Sequence, residues 1–269
     1  MEQLKNTMQI QSLMSSFQTK AISDRELEQI KADSYNKLTD EATDYDCPEC
    51  KNKQWIATVG DDDKMILLPC KCTVIRKNLR KIKKSGLNSL FNEYTLCKYT
   101  TAEKWQESIK NKAEEYLKDY SGKWFYIGGQ TSCGKTHICT AMVIEFIKQG
   151  KDATYMLWVD KSNELKANKN NYEVYDKLMQ DIKDVSVLYI DDFFKNEKDT
   201  PPTSADVKLA YEILNYRYNN PELITIISSE YLLKDLLKID EAVGSRIYQR
   251  SKDFQFNIAP DIKKNYRLR

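Results

Sequence analysis

Three groups of residues in this chain have the types and the spacing to do chemistry. The first is Gly129-Gln130-Thr131-Ser132-Cys133-Gly134-Lys135-Thr136, which fits G-x-x-x-x-G-K-[ST] at every position. Glycines let backbone wrap close to a phosphate, and a helix after such a loop aims its free N–H groups at the anion. Lys135 is the group to reach the β- and γ-phosphates of a nucleotide, and Thr136 the group to hold Mg²⁺. Cys133, and Cys139 beyond the loop, read as small fillers. His137, the only histidine, adjoins the loop as a helix-face residue without a catalytic partner.

The second group lies at the ends of later apolar runs. "VSVLYIDDFF" delivers Asp191 and Asp192 after mostly apolar residues. Asp191 suits Mg²⁺ or its water shell. Asp192 stands where many ATPases place the glutamate that polarises the attacking water. An aspartate is one methylene shorter, which predicts slow hydrolysis, more switch than motor. "LITIISSE" ends with Ser228 and Ser229, where a polar group could sense the γ-phosphate or position the water. "GSRIYQRS" puts Arg246 and Arg250 four apart on one helix face. They are either a surface salt-bridge face or an arginine finger for a neighbouring subunit's site.

The third group is Cys47-Pro-Glu-Cys50 with Cys70-Lys-Cys72. Paired thiolates at this spacing suit tetrahedral Zn²⁺, and Cys72 completes a set of four. Free thiols and a redox pair are the alternatives. So short a segment needs a staple to fold, which favours structural zinc. Without His, Asp or Glu beside an open position, a catalytic zinc is disfavoured. Cys97 lies too far along to be a ligand.

These residues need a scaffold. From Trp124 onward, short apolar runs ("WFYIGG", "ATYMLWV", "VSVLYIDD", "LITIISS", "FQFNI") alternate with helical stretches, the pattern of an α/β fold with a parallel sheet flanked by helices. Between the cysteine pairs, "GDDD" separates "QWIATV" from "MILLP" and predicts a hairpin. "KCTVIRKNLRKIKKSG" carries Lys71, Arg76, Lys77, Arg80, Lys81, Lys83 and Lys84 with no acidic residue, and Ser85-Gly86 marks a boundary. Residues 1–44 are spaced for one or two helices through Leu4, Met8, Leu13, Met14, Phe17, Leu27 and Ile30. They read as an amphipathic pair packed on the next module or as a partner-binding arm. The expected organisation is therefore a helical arm over 1–44, a zinc module with a basic helix over 45–84, and a nucleotide-binding domain over 85–269.

Composition sets limits. The chain has 269 residues, 41% of them hydrophobic, with 17 tyrosines, enough for one good-sized core and a smaller unit. A net charge of +2 identifies no partner by itself. No apolar run reaches the ~18 residues of a membrane span, and the N-terminus lacks the apolar core of a secretion signal. Seven cysteines, an odd number with metal-ligand spacing, argue for a reducing cytoplasm.

Residues 85–259 resemble the ATPase domain of the DnaC/DnaI replicative helicase loaders, a branch of the AAA+ superfamily. The stretches that carry this are "SGLNSLFNEYTLCKY", "GGQTSCGKTH", "YIDDFF", "EILNYRYNN", "ITIISSE" and "GSRIYQRS". A cysteine module ahead of the ATPase looks like the DnaI side, including a phage version of it. The resemblance implies ATP-dependent loading of a hexameric replicative helicase onto single-stranded DNA, with ATP/ADP, Mg²⁺ and structural Zn²⁺ as cofactors. It implies self-assembly through the ATP site, with Asp192 as catalytic acid, Ser228 as sensor, Arg250 as trans-acting finger and Arg246 as second candidate. A transposition helper ATPase and an ATP-binding adaptor that inhibits a helicase are the alternatives. Little chain follows "GSRIYQRS", so no helical lid is expected, nor a lid arginine over ATP. Tyr172, Tyr175 and Lys177 lie in the helical insertion after the second strand, among ordinary surface residues, and the family's DNA contacts are not carried over onto them.

Overall fold

The computed structural model describes residues 22–41, 45–84, 93–196 and 200–268. Leu4, Met8, Leu13, Met14, Phe17 and the Ser85-Gly86 boundary lie outside the described residues. The chain separates into two compact units, one up to Thr73 and one from Val74 onward. The division falls before the basic run ends, because Asn78 in that run bonds the second unit: its amide donates to the Lys151 carbonyl at 2.9 Å.

In the first unit, helix α1 (Asp24–Lys37) starts on a capping box. The Ser23 hydroxyl accepts from Glu26 N–H, and the Glu26 carboxylate accepts from Ser23 N–H at 2.9 Å. Strands β1 (Trp55–Val59) and β2 (Met65–Pro69) form the expected antiparallel hairpin around Gly60 and the aspartates. Asn36 fastens α1 to it, giving one N–H to the Ala57 carbonyl at 2.8 Å and accepting from Ala57 N–H at 2.9 Å. Ala32 is the buried contact, whereas Leu27 and Ile30 remain exposed. Helix α2 (Cys72–Lys84) begins on the last cysteine of the second pair, and from Val74 onward it belongs to the second unit.

The second unit is a parallel sheet in the order β4-β5-β6-β3-β7. Its strands are β3 (Trp124–Gly129), β4 (Ala153–Leu157), β5 (Val187–Phe193), β6 (Ile224–Ser229) and β7 (Gln255–Ile258). Every residue of β3 and β6 is buried, which is why these strands are continuous apolar runs instead of alternating ones. The covering helices are α3 (Lys104–Tyr116), α4 (Lys135–Lys148), α5 (Trp158–Ala167), α6 (Tyr172–Lys183), α7 (Ser204–Asn219), α8 (Leu233–Ile239) and α9 (Glu241–Arg250). "ATYMLWV" differs from its expected form, because the strand stops at Leu157 and Trp158 opens α5. Trp158 is fully buried against the rings of Phe193 and Phe194, at 4.9 and 5.4 Å, and that packing turns the chain.

Arg217 is a buried cation that forms no ion pair among the described residues. Its guanidinium donates to the Ile182, Lys183 and Val185 carbonyls at the end of α6, and to Thr225 Oγ1 and the Ile224 carbonyl on β6. Burial lowers its pKa to about 10. It ties the end of α6 and helix α7 to the start of the central strand β6, at the end of the sheet away from the glycine-rich loop.

Candidate functional site

Strand β3 runs into the glycine-rich loop, and the loop into α4. Gly129 has φ 124°, and a Cβ there would stand 2.0 Å from the Ile258 carbonyl oxygen, so only glycine fits. Gly134, at φ 91°, caps α4 under the ring of Tyr99. Lys135 is buried, and its ammonium curls back to the Gly129 and Gln130 carbonyls at 2.8 and 2.7 Å. A cavity of about 320 Å³ opens beside the loop, with Lys135, Thr136, Asp192, Lys195 and Tyr99 in its wall.

The second acidic group sits across β6 from the loop strand. Asp191 is buried and gathers donors: Tyr189 at 2.7 Å, Tyr155 at 3.1 Å, its neighbour's backbone Asp192 N–H at 3.1 Å, and the Ser228 hydroxyl. Burial, and then the Asp191 charge, push the Tyr155 and Tyr189 pKa values up, so both stay protonated donors. Thr136 Oγ1 lies 3.3 Å from both Asp191 oxygens. Adjacent oxygens around octahedral Mg²⁺ are about 3.0 Å apart from Mg–O distances near 2.1 Å. A hydroxyl and a carboxylate this close therefore fit the ion, bound directly or through its water.

Asp192 is aimed differently from Asp191 because the ladder is irregular there. The β5–β6 register shifts between Ile190 and Phe193, and Asp192 takes φ 51°. Its side chain faces the cavity, while Asp191 and Ser228 lie behind the wall. Ser228 is fully buried; it bonds the Asp191 carboxylate and accepts from Asp192 N–H at 3.4 Å, so its contact with the site runs through those two residues. Ser229 ties the turn after Asp192 to β6 through the Phe193 carbonyl, at 2.7 Å.

His137 donates Nε2–H to the Thr95 carbonyl at 3.0 Å, stacks on Tyr94 at 4.6 Å and meets the edge of Tyr99 at 5.3 Å. Burial pushes its pKa down. The result is an aromatic wall beside Gln130, Thr131, Ser132 and Cys133. The Tyr99 hydroxyl is buried there without a partner among the described residues. Burial also pushes the Cys133 thiol up, and its sulfur donates to the Gln130 carbonyl at 2.9 Å, as a filler would.

Arg246 and Arg250 share one side of α9 and are both engaged. Arg250 donates to the Gly122 carbonyl at 2.8 Å and to the Tyr218 carbonyl, and lies 4.7 Å over the Tyr218 ring. Arg246 bonds Asn215 Oδ1 at 2.9 Å and lies 4.8 Å over Tyr211. Tyr175 bonds Glu212 at 2.9 Å, whereas Tyr172 is exposed.

Two features of the site escaped the sequence reading. Lys195 reaches Glu230 Oε1 at 2.7 Å and Asp192 Oδ2 at 3.4 Å. After β7 the chain returns to the loop: Tyr266 N–H donates to the Ser132 carbonyl at 2.9 Å, and Tyr266 and Arg267 join the cavity wall. An arginine thus does stand at the cavity, carried by a short 3₁₀ turn instead of a helical lid.

In the first unit, Cys47, Cys50, Cys70 and Cys72 are all buried, with their sulfurs within 4.8 Å of one another. Cys47 and Cys70 sulfurs are 3.8 Å apart, and those of Cys50 and Cys72 3.4 Å. Four thiolates at 2.3 Å from a tetrahedral Zn²⁺ would be about 3.8 Å apart. Lys51, Asn52 and Gln54 have φ of 49°, 72° and 66°. That turn points Gln54 N–H at the Cys50 sulfur, 3.2 Å away, and lets Asn52 Oδ1 accept from Cys47 N–H at 2.9 Å. The cluster can hold a metal ion, and its donors favour a soft one.

A parallel sheet with the phosphate loop between β6 and β7, and the acidic pair one strand beyond β6, defines a P-loop ATP-binding domain of the AAA+ type. The profile of the IstB-like ATP binding protein family matches residues 104–249, and the chain belongs to that family. It is 32% identical over 234 residues to the uncharacterized protein YqaM of Bacillus subtilis (strain 168), covering 82% of this chain and 71% of that protein. It is 31% identical over 225 residues to the phage-like element PBSX protein XkdC of the same organism, covering 80% and 82%. Its fold is similar to that of the DnaC helicase loader, with TM-score 0.53 and 18% identity over 64% of this chain and 98% of that one. It is similar also to a DNA replication initiation factor, with TM-score 0.53 and 20% identity, covering 66% of this chain. The match spans 53% of that factor's length.

Proposed function

We propose that the chain is an ATP-hydrolysing loader that places a hexameric replicative DNA helicase on single-stranded DNA, working in the cytoplasm. The observation that carries this reading is the pairing of Thr136 with Asp191 at 3.3 Å while Asp192 alone turns to the cavity. It gives a site with separate groups for holding Mg²⁺ and for water, on the fold of a helicase loader.

In this mechanism the loop N–H groups and Lys135 bind the β- and γ-phosphates, Lys135 exchanging the Gly129 and Gln130 carbonyls for phosphate oxygens. Mg²⁺, when bound, offsets charge on those phosphates. Asp191 is held for it by Tyr155, Tyr189 and Ser228. Asp192 orients a water toward the γ-phosphorus and takes its proton, and ADP leaves with the bridging oxygen. Tyr94, Tyr99 and His137 flank the base end of the cavity. The four cysteines hold structural Zn²⁺ and keep the hairpin folded as part of the helicase grip. Arg250, with Arg246 second, serves a neighbour's ATP in the assembled state.

The test is gel filtration of the purified chain with the host's hexameric helicase, with and without ATP. Co-elution that depends on nucleotide supports the reading. Separate elution in all conditions, with ATPase activity rising on addition of a transposase, supports the transposition-helper alternative.

A further inference from the structure

Lys195 is placed by a turn at the end of β5. Its own N–H donates to the Asp192 carbonyl at 2.9 Å, so its side chain leaves the backbone on the cavity side with the Asp192 side chain. The ammonium is anchored by Glu230, which immediately follows β6, at 2.7 Å. It stands 3.4 Å from Asp192 Oδ2, too long to use up that oxygen as an acceptor. Burial works against the ammonium, yet the Glu230 and Asp192 carboxylates outweigh it and hold its pKa above the ordinary lysine value. All three side chains are about a third exposed, in the wall of the nucleotide cavity.

Such a bridge has a consequence for Asp192. Its backbone is in the left-handed region, where a non-glycine residue needs its surroundings to hold it. The short aspartate side chain can swing, and among the described residues Lys195 is the one cation paired with its carboxylate. We propose that Lys195, fixed by Glu230, is a positioning residue that keeps the Asp192 carboxylate turned to the attacking water. This rests on the reading of Asp192 as the water-orienting acid. It also joins the end of β6 to the acid, so that a shift of that strand end moves the acid with it.

Steady-state ATP hydrolysis and ATP affinity of the full chain test this. Lys195→Ala should lower kcat by about tenfold, less than the 10²–10⁴ of an acid–base group itself. ATP affinity and Tm should stay near wild type. Lys195→Arg, which can still bridge two carboxylates, should regain most of the rate, and Glu230→Gln should show an intermediate loss. On an Asp192→Asn background, Lys195→Ala should cost nothing further, because the group it positions is gone. An unchanged or increased kcat in Lys195→Ala overturns the proposal. So does an equal further loss on the Asp192→Asn background, which makes Lys195 a cation acting on the phosphates directly. If Asp192→Asn itself turns over like wild type, the failure lies in the reading of Asp192 and this proposal falls with it.

Discussion

Thr136 Oγ1 stands 3.3 Å from both carboxylate oxygens of Asp191, although the two residues are far apart in sequence and β6 separates the strand of Asp191 from β3, which leads into the loop before Thr136. The hydroxyl comes from the first turn of α4 and the carboxylate from the end of β5. Their meeting point is where Mg²⁺ accompanying ATP can be held. The adjacent Asp192 faces the cavity instead, and the proposed mechanism accordingly gives one carboxylate to the metal and the other to water.

This division predicts two different failures. Lys135→Ala should weaken ATP binding by about 100-fold, the loss of charge-assisted hydrogen bonds to phosphate. Asp192→Asn should bind ATP nearly as wild type and hydrolyse it about 10²–10⁴ times more slowly. Calorimetric titration with ATP alongside single-turnover hydrolysis separates the two effects. Wild-type turnover in Asp192→Asn would remove the assignment.

The cysteine cluster predicts close to one zinc per chain by metal analysis of purified protein. Cys50→Ser should unfold the hairpin region, seen as rapid amide exchange over residues 45–75, and leave ATP binding intact. A protein without zinc, with all seven thiols titrating freely in the native state, contradicts the site.

Most of the sheet was legible because buried parallel strands must be apolar along their whole length, as "WFYIGG" and "LITIISS" are. The phosphate loop and the acidic pair were legible because their spacing is local. Lys195 with Glu230, Arg217 with the carbonyls of α6 and β6, and Tyr266 with Ser132 were not. Each pairing joins residues distant in the chain, and a lysine, an arginine or a tyrosine has no spacing that announces its partner. Trp158 misled in the other direction: its apolar run reads as strand, but its ring packs on Phe193 and Phe194 and starts a helix.

Asp206 carries a prediction about pH. It caps α7 through Thr203 and meets Lys166 at 2.8 Å. Burial alone would raise its pKa, but Lys166 and the Thr203 hydroxyl and N–H outweigh that and hold it below the ordinary value of 3.8. A carboxylate depressed in the folded state stabilises above its unfolded pKa, and that stability is lost as pH falls through the folded one. Asp206→Asn should therefore lower stability by about 1–2 kcal/mol at pH 6, a typical loss for a helix cap. The gap to wild type should narrow below pH 3.8. Urea unfolding at both pH values checks this, and a gap independent of pH would contradict it.

The arginines of α9 predict a shared site. Arg250 is held by Gly122 and Tyr218 in its own chain, so reaching a neighbour requires those bonds to exchange on assembly. Arg250→Ala and Lys135→Ala proteins should each be inactive alone and regain partial ATPase activity when mixed on single-stranded DNA, because mixed interfaces pair an intact ATP site with an intact finger. No regained activity where wild type self-associates returns Arg250 to a purely structural role.

The most direct test of the account is transfer of the host's hexameric helicase onto circular single-stranded DNA, measured as DNA-bound helicase after gel filtration. The account predicts that the chain with ATP increases bound helicase severalfold, and that Lys135→Ala does not. Bound helicase that stays the same or falls when the wild-type chain and ATP are added would contradict loading, and a fall would identify the chain as an inhibitor of the helicase.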